Sequence, residues 1–328
     1  MKSRKLVGAL AGAGIIAMIA GGGVAYADPV GAPTFRELAG VGSETTTPIM
    51  NALANDAAAL AIGGVRQVAS YNATGSATVV TKDPAVNPNC TINRPNGSGA
   101  GRTALLAQLQ AGNNCLQFSR SSALDLSAAP VQLTYIPFAT ESITFAISNT
   151  SNLPKTLTLA QLQGFFRCTN PGTYAAMLPQ SGSGTRNYWI TQMYVGGVLP
   201  NPVPACIQNG TDENGALIEE HNGTQVNNNE IVPFSVAQWG SQTTGLIADV
   251  RGSTRLGQVD GTNPFSANFA LQRDLYNVIP TSAEGTAPTS TVFVGPNALM
   301  CQTAADTIIL RFGLRLTPDC GSTALRTP

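Results

Sequence analysis

Three separate stretches of this chain share one pattern, a short run rich in glycine and serine followed at once by helix-like spacing. They are Gly40-Val41-Gly42-Ser43-Glu44-Thr45-Thr46-Thr47, Arg94-Pro95-Asn96-Gly97-Ser98-Gly99-Ala100-Gly101 and Ser181-Gly182-Ser183-Gly184-Thr185-Arg186. Glycine lets a ligand approach the backbone where a Cβ would block it, and the first turn of a helix carries N–H groups with no intrahelical partner. A loop of this kind opening a helix is therefore a cradle for an anion, with serine and threonine hydroxyls added. A plain N-capped surface helix would use the same residues, and in the first loop would need only one of the three threonines. None of the three has the spacing of a nucleotide P-loop or a dinucleotide fingerprint.

The stretches between the loops read as alternating strands and helices. Leu116-Gln117-Phe118 is a buried strand that delivers Ser119-Arg120-Ser121-Ser122 at its C-terminal end, where open α/β sheets place ligands. Residues 131–138 and 142–147 alternate as two further strands, and residues 158–166 form an amphipathic helix with Thr158 as its cap. Residues 231–237 and 273–280 read as strands and 304–314 as a helix. Residues 196–230 are rich in Gly, Pro and Asn and read as loop, with His221 as a solvated loop histidine.

Composition narrows the function. With 328 residues, 43% of them hydrophobic, the chain can bury a large core and divide into two lobes. Only 11% are charged, 18 basic against 18 acidic, so there is no basic field for nucleic acid. Lys2, Arg4 and Lys5, an apolar run over 6–24 and Ala25-Tyr26-Ala27 form a signal peptide cleaved after Ala27, which predicts a secreted or extracytoplasmic protein. The alternative is a membrane anchor, though the Gly/Ala-rich run is weakly hydrophobic for a span. No cysteine near the cleavage site could carry a lipid.

Six cysteines in an exported chain predict disulfides. Their spacing forms three local pairs, Cys90–Cys115, Cys168–Cys206 and Cys301–Cys320, among 15 possible connectivities. With no C-x-x-C clip and a single histidine, neither a metal nor a cofactor is expected.

The order of these motifs resembles the substrate-binding proteins of phosphate ABC transporters. Gly40-Val41-Gly42-Ser43, Gly97-Ser98-Gly99-Ala100-Gly101, Phe118-Ser119-Arg120-Ser121-Ser122 and Gly182-Ser183-Gly184-Thr185 carry the resemblance, with echoes in Ile231-Val232-Pro233-Phe234-Ser235-Val236 and Leu271-Gln272-Arg273-Asp274-Leu275-Tyr276. It implies an α/β, two-lobed periplasmic-binding-protein-like (type II) fold, with residues 35–136 plus 278–328 as one lobe and 137–277 as the other. It further implies that a monomer binds phosphate or a related oxyanion in the cleft for uptake through an ABC permease. Family contacts map onto Ser43 and Thr45, Ser98 with Gly99 beside it, Ser121 or Ser122, and Ser183, Gly184 and Thr185. The chain departs from the family twice: Ser121-Ser122 stand where an aspartate accepts the proton of phosphate, and Pro179 stands where an arginine is found. Glu44 is then the candidate acceptor, and Arg120 and Arg186 the candidate charges.

Two other functions fit less of the sequence. A serine hydrolase lacks the G-x-S-x-G elbow, because Asn96 and Ser181 take the leading glycine position before Ser98 and Ser183, and His221 would be its sole base. The chain is therefore expected not to be an enzyme. A secreted or wall-associated protein that kept the fold without transport is the remaining alternative.

Overall fold

The computed structural model describes residues 28–328 apart from Asn170, Pro171 and Thr173, so the export signal read at 1–27 lies outside the described residues. One mixed sheet organises the molecule. Its strands are β1 (Leu38–Gly42), β2 (Val68–Ser70), β3 (Phe118–Ser121), β4 (Leu133–Ser148), β5 (Ala175–Leu178), β6 (Ile207–Asn209), β7 (Glu230–Ser235), β8 (Thr254–Leu256), β9 (Gln272–Pro280) and β10 (Leu325–Arg326). Their order is β6-β5-β7-β4-β9-β3-β1-β2, with β8 and β10 also paired to β4. Two parallel trios result, β2-β1-β3 and β6-β5-β7, joined through the antiparallel pair β4 and β9.

The helices that matter for the site follow or precede these trios: α1 (Thr47–Asn55), α2 (Ser98–Gln110), α3 (Leu159–Phe166), α4 (Gly184–Met193) and α5 (Val236–Thr243). α3 starts with the capping box foreseen at Thr158, which accepts from the Gln161 amide while the Gln161 side chain returns the bond. Trp189 fixes α4 by complete burial, its ring edge-on to Phe166 at 5.5 Å; such a pair adds about 0.5–1.5 kcal/mol beyond the area it buries. α2 can lie close to β1 because glycine meets glycine there: a Cβ on Gly101 would stand 2.5 Å from the Gly42 Cα.

Each trio has its own core. Leu38, Ile49, Leu53, Phe118 and Phe293 pack on one face of the first trio, and Val41, Leu105 and Tyr135 on the other. Phe145, Leu162, Phe166 and Trp189 fill one side of the second trio, and Met177, Val232 and Phe234 the other. Along β4 the core changes from the first half to the second between Ala139 and Ile143, and at the start of β9 between Leu275 and Leu271, the residue just before the strand. The sequence reading set the boundaries at 137 and 278.

The two strands expected at 131–138 and 142–147 are a single 16-residue strand, β4. Thr140, Glu141 and Ser142 look like a polar break, but Glu141 is buried and paired in register with Arg273 of β9. A buried ion pair continues the strand through the gap between the two that were expected. The pairing of the two strands skips Phe138, between Tyr276 opposite Pro137 and Leu275 opposite Ala139. Three disulfides, Cys90–Cys115, Cys168–Cys206 and Cys301–Cys320, each close a local loop. Among the described residues no helix is long and apolar enough to cross a membrane.

Candidate functional site

All three glycine-serine loops end at one place. β1 and β5 point their C-terminal ends there, followed by Ser43 and by the loop before α4, and Ser122 follows β3. Ser122 Oγ stands 3.0 Å from Ser43 Oγ, 3.3 Å from Ser98 Oγ and 3.4 Å from Thr45 Oγ1. Across the cleft, Thr45 Oγ1 lies 3.3 Å from Thr185 Oγ1. Five hydroxyls from loops up to 140 residues apart thus form one connected cluster. The loops touch directly as well, since the Gly99 amide donates to the Gly182 carbonyl at 3.0 Å.

The local chemistry explains why each loop arrives in this way. α1 has no side-chain N-cap, so Thr45 is not spent on its helix and turns its hydroxyl into the cluster. Ser183 does cap α4, accepting from the Arg186 amide at 2.9 Å. Gly184 has to be glycine: a Cβ there would fall 2.3 Å from both Ser98 Oγ and Ser122 Oγ.

Four expected contributors lie elsewhere. Arg120 is fully buried behind the first loop, where its guanidinium donates to the carbonyls of Gly40, Gly42 and Ser43 and to Ser70 Oγ and Thr47 Oγ1. Its donors brace the loop from behind and do not face the hydroxyls. Arg186 donates to the Pro179 carbonyl, Ser121 Oγ closes its own turn on the Ala123 carbonyl, and the Gly99 amide is taken by Gly182. Glu44 stands at the edge of the cluster, Oε2 3.8 Å from His221 Nε2.

The charged groups inside the site come from segments the sequence reading passed over. His221 is buried and not solvated, held at φ 58° with its ring edge-on to Phe234. A histidine in the left-handed region marks a place where the surroundings impose the backbone. Its Nδ1 accepts the Ser235 amide at 3.2 Å, so the neutral ring carries its proton on Nε2. That nitrogen faces Thr45 Oγ1 at 2.9 Å and Glu220 Oε2 at 3.3 Å. Glu44, Glu220 and His221 could offer atoms within 4.8 Å of one another to a cation. A metal would need the Nε2 lone pair, however, and the Ser235 contact puts a proton there, so the arrangement suits a donor to carboxylates.

Glu220 is the centre of the charge. Its Oε2 accepts from Thr45 Oγ1 at 2.6 Å and from Thr185 Oγ1 at 3.2 Å, while its buried Oε1 finds no hydrogen-bond partner among the described residues. Burial opposes ionisation, but hydrogen bonding and attraction from His221 and the bonds from Ser183 and Thr45 prevail, and the carboxyl is held down to about 2. Arg273 reaches the same hydroxyls from β9, 3.0 Å from Thr185 Oγ1, and binds Glu141 at 2.6 Å. Glu141 also accepts from Ser235 Oγ, the hydroxyl that caps α5.

Glu44 behaves in the opposite way. Burial of its carboxyl group, followed by the nearby carboxylates of Glu220 and Glu219, raises it well above 4.5. A carboxyl raised in the folded state binds its proton more tightly there, so stability falls as pH climbs from the unfolded value toward the folded one. Glu44→Gln should remove this decline: its melting temperature should exceed that of the native protein increasingly above pH 4.5. Parallel melting curves for the two proteins across that range would refute the shift.

No protein-family model matches the sequence, and no curated protein matches it. Solved structures do match by fold. One described as a phosphate ABC transporter substrate-binding protein from Clostridium perfringens with bound phosphate aligns at TM-score 0.54 and 16% identity, over 85% of this chain and 99% of its own. An ABC-type phosphate transport receptor from Vibrio cholerae aligns at 0.51 and 16%, over 86% and 100%. A phosphate-binding protein from Stenotrophomonas maltophilia aligns at 0.51 and 12%, over 86% and 91%. With two trios of parallel strands joined by a shared antiparallel pair, and the starts of α2 and α4 touching where the halves meet, the chain has the two-lobed periplasmic-binding-protein-like fold of these structures.

Proposed function

We propose that the chain is an extracytoplasmic solute-binding protein that takes phosphate, or a related oxyanion carrying a proton, between its lobes. Residues 35–136 plus 278–328 form one lobe and 137–277 the other. The observation that carries this reading is the Glu220 carboxylate, ionised and buried at the meeting point of the hydroxyls with one oxygen unpartnered. A fully ionised oxyanion such as sulfate is repelled by it, whereas a protonated one can donate to Oε1. The acceptor role assigned to Glu44 from the sequence passes to Glu220, because burial and neighbouring carboxylates favour the protonated form of Glu44 and the ionised form is the acceptor. Around the ligand, Ser43, Thr45, Ser98, Ser122 and Thr185 supply hydroxyls, Arg273 supplies fixed charge and the starts of α2 and α4 supply their dipoles.

The fold likeness and the signal-like N-terminus support export and a role beside an ABC permease. The His221 tautomer weighs against hydrolysis, since a general base needs the Nε2 lone pair that the Ser235 amide leaves protonated. Thermal unfolding with added anions tests the proposal. Phosphate at a hundred times its dissociation constant should stabilise the fold by about 2.7 kcal/mol, with sulfate giving no shift. Equal shifts from both anions would remove Glu220 as the discriminator. No shift from any oxyanion would leave a protein that kept the fold without the ligand.

A further inference from the structure

On the side of Arg273 away from the hydroxyls, between β9 and α4, lies a cavity of about 550 Å³ that no tetrahedral anion would fill. Its size falls within the ~300–1,000 Å³ of sites that enclose organic small molecules. The cavity and the hydroxyl cluster meet at Arg273, which lines the one and donates to Thr185 Oγ1 of the other; Ala123 and Thr140 line the cavity as well. α4 contributes Asn187, Tyr188 and Thr191, from the turns directly after the Gly184-Thr185 corner.

The lining is specific in its chemistry. Arg273 is paired with Glu141, which leaves the Asp274 carboxylate, accepting from Thr140 Oγ1 at 2.8 Å, as the charged group of the wall with no ion-pair partner among the described residues. Gln272 gives its amide nitrogen to the carbonyls of Ala267 and Phe269 and Thr191 gives its hydroxyl to that of Tyr188, so the Asn187 amide, the Asp274 carboxylate and the rings of Tyr188 and Tyr276 are what the wall offers. The Arg273 guanidinium stands over the Tyr188 ring at 5.6 Å from its centre, which fixes the ring at the junction of cradle and cavity. An amide and a carboxylate beside aromatic rings match a body with many hydroxyls and apolar C–H faces.

We infer that the cleft binds a phosphomonoester of a neutral, hydroxyl-rich body, such as a sugar phosphate, with the phosphate in the cradle and the body in this cavity. The inference rests on the oxyanion reading above and names the class of ligand for the same cleft. A phosphomonoester monoanion keeps the proton that Glu220 requires.

Calorimetric titration of the mature protein with inorganic phosphate, glucose 6-phosphate and glucose tests it. Glucose 6-phosphate should bind about tenfold more tightly than inorganic phosphate, the weight of one or two net hydrogen bonds, and glucose alone should not bind measurably. Asn187→Ala, and separately Thr191→Trp, which fills the cavity from an exposed position on α4, should remove that advantage and leave inorganic phosphate binding unchanged. Inorganic phosphate binding as tightly as glucose 6-phosphate, or an advantage that survives both variants, would overturn the inference while leaving the oxyanion site standing. If neither phosphate binds, both readings fall together.

Discussion

Glu220→Gln should invert the anion preference. The native carboxylate accepts a proton from its ligand; the amide keeps the size but brings N–H donors and no charge. Phosphate binding should weaken by roughly 10–100-fold, the weight of one hydrogen bond to a charged group at about 1.5–3 kcal/mol. Sulfate, excluded by the negative charge in the native protein, should become a measurable ligand. Competition calorimetry with the two anions reads both changes, and a variant that still rejected sulfate would show that discrimination resides elsewhere. The substitution also flattens the acid limb of stability. Because Glu220 is held at about 2, below the ordinary 4.5, its contribution is complete above the unfolded value and disappears as pH falls through that interval. The native protein should lose stability there, and the glutamine variant should lose less.

The largest loss of stability is expected from Arg273→Ala. Arg273 and Glu141 are 3% and 0% exposed, side by side on β9 and β4 at the level where the strands pass between the halves. Removing the arginine leaves a carboxylate buried without its cation, which costs about 3–5 kcal/mol. The same change strips a donor from Thr185 and Thr45, so ligand binding should fail as well. Denaturant titration measures the first effect. An unchanged midpoint would mean that Glu141 is neutralised by another partner. Replacing both members, Arg273→Met with Glu141→Leu, should recover much of the stability without recovering binding, because an apolar pair avoids the unpaired charge. That contrast separates the arginine's structural work from its part in the site.

How much of this was legible in the sequence depended on the range of the signal. The three loops were readable because glycine, serine and the following helix spacing are all local, and Ser43, Thr45, Ser98, Ser122 and Thr185 do meet. Glu220 and His221 were not, since they sit in a Gly- and Asn-rich run whose composition resembles a solvated loop. A cue was present in the run Glu219-Glu220-His221, three ionisable residues together in a chain where only 11% are charged. Arg120 misled because its position after a buried strand suggests a ligand contact, whereas its length lets it fold back onto carbonyls of the neighbouring strand. Arg273 read as part of a strand and of a family echo, with no role of its own. Its role depends on the register between β9 and β4, which no local pattern encodes.

β4 and β9 run unbroken from one half of the molecule to the other, so the walls of the cleft are not hung on loose linkers. Any gape has to be taken up by flexing a two-stranded ribbon, as in a leaf spring clamped at both ends. With its pairing interrupted at Phe138, such a spring gives most readily at that point and returns, which favours a small swing over a wide yawn.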